Sequence, residues 1–170
     1  MKKLKRILLV EDNLKDIDLT LAALEEHHLA NEVDVARDGV EALDYLYRRG
    51  KFADRSPDLP AVVLLDIKMP KLNGLEVLRQ VKSDPAFKAL PVVMLTSSRE
   101  EPDLAASYAL GVNAYVVKPV DFPQFVEAVK QVGAFWAVLN EPPPDSTPPE
   151  TPSPRRSASS TWRTARATPN

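Results

Sequence analysis

Residues 61–66 read Ala-Val-Val-Leu-Leu-Asp, an aliphatic run without polar alternation that is closed by a carboxylate. A strand with one wet face alternates apolar and polar side chains, whereas a run apolar at every position is covered on both faces, as in a parallel sheet between helices. Two further stretches have this form: Ile-Leu-Leu-Val at 7–10, followed by Glu11 and Asp12, and Val-Val-Met-Leu at 92–95, followed by Thr96. Working outward from them, β-branched or aliphatic runs predict five strands, at 6–10, 32–36, 61–65, 91–95 and 114–117.

Helical spacing fills the intervals. Leu14, Ile17, Leu21 and Leu24 form one stripe, and Val40, Leu43, Leu46 and Tyr47 a second. Others run through Leu75, Leu78 and Val81, through Leu104 and Tyr108, and through Phe122, Phe125, Val126 and Val129. Asn13, Asp38 and Asp121 stand where N-caps belong, and Gly50 and Gly111 where helices stop. The order is five repeats of strand then helix. Right-handed crossovers then imply an α/β, three-layer sandwich with a doubly wound five-stranded parallel sheet, most simply in the order 2-1-3-4-5.

Composition narrows the function. The 170 residues contain no cysteine, which excludes a disulfide framework, thiolate zinc and a cysteine nucleophile. The two histidines, His27 and His28, are adjacent and cannot share a helix face, so a multi-histidine metal site is disfavoured. A formal net charge of -2 speaks against nucleic acid or a membrane surface as partner. The apolar run behind the basic residues 1–6 is too short for a signal core or a transmembrane helix, so a cytoplasmic protein is expected. Eight of the 16 prolines lie at 142, 143, 144, 148, 149, 152, 154 and 169, among many Ser, Thr and Arg residues. The expected organisation is therefore a folded domain over 1–140 and a disordered tail over 141–170.

In such a sheet ligands bind beyond the carboxyl ends of the strands, at the switch point between strands 1 and 3. Glu11 and Asp12 end strand 1, Asp66 ends strand 3, Thr96 with Ser97 and Ser98 ends strand 4, and Lys118-Pro119 ends strand 5. No glycine-rich loop follows strand 1, which disfavours a dinucleotide or flavin. Singly, each residue has a plain use: a helix cap, a turn, a solvated lysine, and Asn73-Gly74 as a turn. Their convergence on one edge points to more. Crowded carboxylates suit a hard cation such as Mg²⁺, and a lysine and a threonine beside them suit a phosphoryl group.

These residues resemble the receiver domain of two-component response regulators, the CheY-like family. The motifs are Leu-Val-Glu-Asp-Asn at 9–13, Leu-Leu-Asp-Ile-Lys-Met-Pro-Lys-Leu-Asn-Gly at 64–74, Val-Met-Leu-Thr-Ser at 93–97 and Tyr-Val-Val-Lys-Pro at 115–119, over about residues 5–139. The resemblance implies a flavodoxin/CheY-like fold, with Asp66 as phosphoacceptor from a sensor histidine kinase. It implies Mg²⁺ held by Glu11, Asp12, Asp66 and the main-chain carbonyl of Lys68. Thr96 and Lys118 would bind phosphoryl oxygens, a cis Lys118–Pro119 bond would aim the lysine, and Tyr115 would be the switch aromatic that follows Thr96. The Lys68 side chain, two residues past the acceptor, is expected to alter autodephosphorylation.

A narrower resemblance is to single-domain, phytochrome-associated regulators of the Rcp-like subgroup. Its marks are Arg37-Asp38-Gly39-Val40-Glu41-Ala42-Leu43, Tyr47-Arg48-Arg49-Gly50, Lys82-Ser83-Asp84-Pro85, Lys118-Pro119-Val120-Asp121 and the late Phe135-Trp136. It implies a bacteriophytochrome-type kinase as partner. Phe135 and Trp136 widen the apolar face of the last helix, which suits either packing on the core or an interface such as a homodimer through helix 4, strand 5 and helix 5. The expected function is a non-enzymatic phosphoacceptor that switches a protein-interaction surface. The alternatives are a phosphate sink, a receiver-like scaffold without phosphorylation, and an aspartyl-phosphate hydrolase, against which Lys68 stands where a second acid is required.

Overall fold

Apolar runs too short for helices can satisfy their backbone only by pairing with one another. In the computed structural model, which describes residues 6–25, 32–97 and 99–118 and the isolated positions 124, 127 and 131, they do so. The order is β1 (Ile7–Val10), α1 (Leu14–Glu25), β2 (Val33–Ala36), α2 (Gly39–Tyr47), a 3-10 turn (Gly50–Phe52), β3 (Val62–Leu65), α3 (Gly74–Ser83), β4 (Val92–Thr96), α4 (Glu101–Ala109) and β5 (Ala114–Val117). All strand pairs are parallel, in the order β2-β1-β3-β4-β5.

Side chains alternate between the two faces of a strand, so one run feeds two cores. Leu8, Val10, Val63, Leu65, Val92 and Met94 point to one side, where α2 and α3 supply Leu43, Leu46, Val77, Leu78 and Val81. Ile7, Leu9, Val62, Leu64, Val93 and Leu95 point to the other, against Ile17, Ala23 and Leu24 of α1. The central strands β1, β3 and β4 are buried throughout, while β2 and β5 at the edges are mostly half-buried.

Several local expectations hold. Asn13 accepts a hydrogen bond from the Asp16 amide at the start of α1, and Asp38 accepts one from the Glu41 amide at the start of α2. Gly111 ends α4 with φ +92°. Others are corrected. Asn73 is the N-cap of α3, accepting from the Glu76 amide, and not a free-standing turn residue. α2 stops at Tyr47, before Gly50, with Arg48 itself left-handed at φ 57°. Val40 and Tyr47 are exposed, because α2 is rolled to bury Ala42 and Tyr45 beside Leu43 and Leu46.

The α4 stripe also faces out. Leu104 and Tyr108 are 38% and 56% exposed, and the buried residue of α4 is Ser107, whose hydroxyl donates to the Asp103 carbonyl. Asp121, the predicted fifth helix, the Lys118–Pro119 bond, Phe135 and Trp136 lie outside the described residues, apart from helical positions at Gln124, Glu127 and Gln131.

Candidate functional site

Parallel pairing carries the residue after each strand to a common edge. Val10 pairs with Leu65, Leu65 with Met94, and Thr96 with Val117. The Asp66 amide donates to the Val10 carbonyl (3.1 Å), and the Lys118 amide to the Thr96 carbonyl (2.8 Å), so the ladder continues one residue into the site. Glu11, Asp12, Asp66, Thr96 and Lys118 are thus positioned by strand ends, the most rigid part of such a fold.

The loop after β3 is shaped by two close approaches. A Cβ on Gly74 would lie 2.1 Å from the Asp66 carbonyl oxygen, and one on Gly39 would lie 2.2 Å from that of Leu72. No side chain fits at either place, so α3 and α2 can press against the loop only through glycine. Lys71 is left-handed at φ 66°, and its ammonium reaches Asp38 at 3.3 Å. Asp66 is further fixed by the Ile67 amide, which donates to its Oδ1 at 2.7 Å.

Glu11, Asp12 and Asp66 each present an oxygen, and these three lie within 4.8 Å of one another. Glu11 and Asp66 are buried and Asp12 is half-buried. Lys118 reaches across from β5: its Nζ donates to Glu11 Oε2 (2.6 Å), Asp16 Oδ2 (2.8 Å) and Asp66 Oδ2 (3.4 Å). Burial works to lower the Lys118 pKa, but hydrogen bonds to Asp16 and Glu11 and the charge of Asp66 leave it raised. Burial pushes the Glu11 carboxyl up to about 7, with the Asp66 charge adding to the rise and the Lys118 ammonium opposing it.

This donor set fits a hard divalent ion. It offers only oxygen, is strongly anionic, and lies beside an open groove of about 420 Å³ lined by Asp12, Lys68, Met69, Asn73, Glu100 and Asp103. The Lys68 ammonium is 3.6 Å from Glu100, across this groove. Thr96 is fully buried at the end of β4. Tyr115 pairs with Met94 and is half-buried against the core cluster that contains it.

The structure therefore brings Glu11, Asp12, Asp66, Thr96 and Lys118 to one edge, with Lys68 in the groove and Tyr115 three residues before the lysine. It adds Asp16, which the sequence reading missed. The available signal was its place in the first turn of α1, just past Glu11 and Asp12, which keeps it near the end of β1.

A family model of the response regulator receiver domain matches residues 7–130. The chain belongs to the response regulator receiver family. Among solved structures, this receiver resembles the bacteriophytochrome response regulator RtBRR, at 63% identity and a TM-score of 0.67, over 85% of this chain and 87% of that one. It also resembles the phosphorylated cyanobacterial phytochrome response regulator RcpA, at 42% identity and a TM-score of 0.77, over 83% and 99%. Response regulator Rcp1 of Synechocystis sp. (strain ATCC 27184 / PCC 6803 / Kazusa) is 39% identical over 132 residues, 78% of this chain and 88% of that protein. The Mn(2+)-bound form of Rcp1 matches at a TM-score of 0.75 and 36% identity, over 82% of this chain and 99% of that one. Among the described residues, no helix of this receiver is long and apolar enough to cross a membrane.

Proposed function

We propose that this receiver takes a phosphoryl group onto Asp66 from the phosphohistidine of a sensor histidine kinase of the phytochrome type. The observation that carries the reading is one carboxylate, Asp66, placed against both a cation-type oxygen cluster and a buried ammonium. In the transfer, an Asp66 oxygen forms a bond to phosphorus, the phosphorus–nitrogen bond breaks, and the leaving imidazole keeps the electron pair and takes up a proton. Lys118 pairs with a phosphoryl oxygen, and the Thr96 hydroxyl donates to another.

Glu11, Asp12 and Asp66, with the main-chain carbonyl of Lys68, would hold Mg²⁺. When bound, the ion supplies positive charge that offsets the anionic donor and acceptor. Similarity to phytochrome response regulators supports the choice of kinase, and the Mn(2+)-bound Rcp1 supports a divalent ion. The cis Lys118–Pro119 bond belongs to the same proposal.

Output follows from differential contacts. Recruitment of Thr96 to the phosphoryl group vacates space that the Tyr115 ring fills, reshaping the face formed by α4, β5 and the segment after it. Leu104 and Tyr108 already expose apolar surface on α4. We assign that face to protein contact, a homodimer with Phe135 and Trp136 in it, and place the protein in the cytoplasm. Residues 1–140 are the receiver and 141–170 a solvated tail. The activity is stoichiometric acceptance rather than turnover of an external ester.

The test is the intact mass of the full chain after incubation with Mg²⁺ and acetyl phosphate. One phosphoryl adduct is expected, absent in Asp66→Asn and absent without metal. An adduct that persists in Asp66→Asn overturns the assignment. No adduct on the wild-type chain, with no divalent ion bound, leaves a receiver-like scaffold.

A further inference from the structure

Lys118 is buried, its side chain 8% exposed, and an ammonium so enclosed requires anionic partners. Among the described residues it has three, and they are not equivalent. Glu11 and Asp66 belong to the set of oxygens that closes within 4.8 Å, whereas Asp16 does not. A divalent ion drawn into that set would claim lone pairs from Glu11 and Asp66 and repel the neighbouring ammonium. Lys118 would then lose two partners together, and Asp16 is the one left to it.

Asp16 is placed for that task. It sits in the first turn of α1, is half-buried, and accepts from Lys118 at 2.8 Å, closer than Asp66 at 3.4 Å. Its own amide is held by the Asn13 cap, so its backbone is fixed by the first turn of the helix. Resting on the reading of Asp66 as a metal-assisted phosphoacceptor, we propose that Asp16 is a positioning residue. It holds the Lys118 ammonium inside the site while Glu11 and Asp66 turn to the cation, so that the lysine does not compete for them and stays within reach of the phosphoryl group. Without it, Lys118 falls wholly on the cation's own carboxylates.

The test reads metal binding directly, by electron paramagnetic resonance of free Mn²⁺ in titrations of the full chain. Asp16→Asn is expected to weaken Mn²⁺ binding about five- to tenfold, and Asp16→Glu to recover most of the loss. In a Lys118→Ala background the Asp16→Asn change should move the affinity by less than about twofold, because Asp16 acts through the lysine. An equal weakening in both backgrounds would mean a bare charge effect and overturn the proposal. So would Asp16→Asn binding like the wild type. Thermal unfolding shows whether each variant is folded, and Asp16→Ser gives a second neutral side chain at this helix position. If wild-type protein binds Mn²⁺ but takes no phosphoryl group, the phosphoacceptor reading fails while the coupling of Asp16 to Lys118 is still measured.

Discussion

Two polar clusters sit at opposite ends of β1 and β2, and they are built on opposite principles. At the carboxyl ends, the carboxylates of Glu11, Asp16 and Asp66 contact the ammonium of Lys118, and Asp12 lies beside Glu11 and Asp66. At the amino ends, Asp34 receives both a two-pronged contact from Arg6 (2.7 and 2.8 Å) and the hydroxyl of buried Tyr45. Arg55 lies over the Tyr45 ring, 4.1 Å from its centroid, and donates to the carbonyls of Tyr45, Ser56 and Asp58. Only its Nη2 is buried without a hydrogen-bond partner. The amino-end cluster is closed on itself and ties the long α2–β3 connection to β2. The carboxyl-end cluster carries excess negative charge that its own lysine cannot neutralise. That imbalance suits the proposed cation and phosphoryl group, whereas a structural network removes it.

The sharpest way to break this contrast is Lys118→Ala. At the carboxyl end it should slow formation of the phosphoryl adduct about a hundredfold, the scale of losing one charge-stabilising donor, while tightening divalent-ion binding. Slower transfer with weaker ion binding would mean that the lysine merely holds the site together. At the amino end, Tyr45→Phe should cost about 1.5–3 kcal/mol of stability in urea unfolding, the worth of a hydrogen bond to a charged group, and leave adduct formation unchanged. If instead it altered the adduct, the two clusters would be coupled and the division would fail.

The amino-end cluster also makes a pH prediction. Burial works to raise the Asp34 carboxyl, but hydrogen bonds from Arg6 and Tyr45 outweigh it and hold the group below its ordinary 3.8. A carboxyl depressed on folding stabilises the native state fully above the unfolded value, and that contribution fades as pH falls through the folded value. The stability gap between wild type and Asp34→Asn should thus stay level above about pH 5 and close below 3.8, in unfolding curves taken across the acid range. A gap that widens on acidification would contradict the pairing. The smallest effect expected is from Lys68→Asn. The Lys68–Glu100 pair spans the groove but both side chains are mostly exposed, so its loss should shorten the phosphoryl lifetime by about two- to fivefold, read by loss of adduct over time. An unchanged lifetime would show that the pair does not shield the acceptor.

The legibility of the molecule followed the same division. β1, β3 and β4 could be read because their four or five residues are buried on both faces, which leaves an unbroken apolar run. The site could be read because parallel strands carry whatever follows them to one edge. α4 could not be read correctly. It buries Ser107, and its large apolar side chains, Leu104 and Tyr108, point outward. The end of α2 was hidden for a different reason: Arg48 adopts the left-handed conformation that the sequence suggests for Gly50. Asp16 was missed because spacing alone does not say that Lys118, more than a hundred positions later, will meet it.

The central claim is that, of the four carboxylates Glu11, Asp12, Asp16 and Asp66 at this edge, Asp66 alone forms the bond to phosphorus. Borohydride reduces an acyl phosphate to an alcohol, so the phosphorylated full chain, reduced and then mapped by peptide mass spectrometry, records the site. Homoserine at position 66, and at no other of these carboxylates, is the result expected. A reduced side chain at Glu11, Asp12 or Asp16, with position 66 unchanged, would contradict the account.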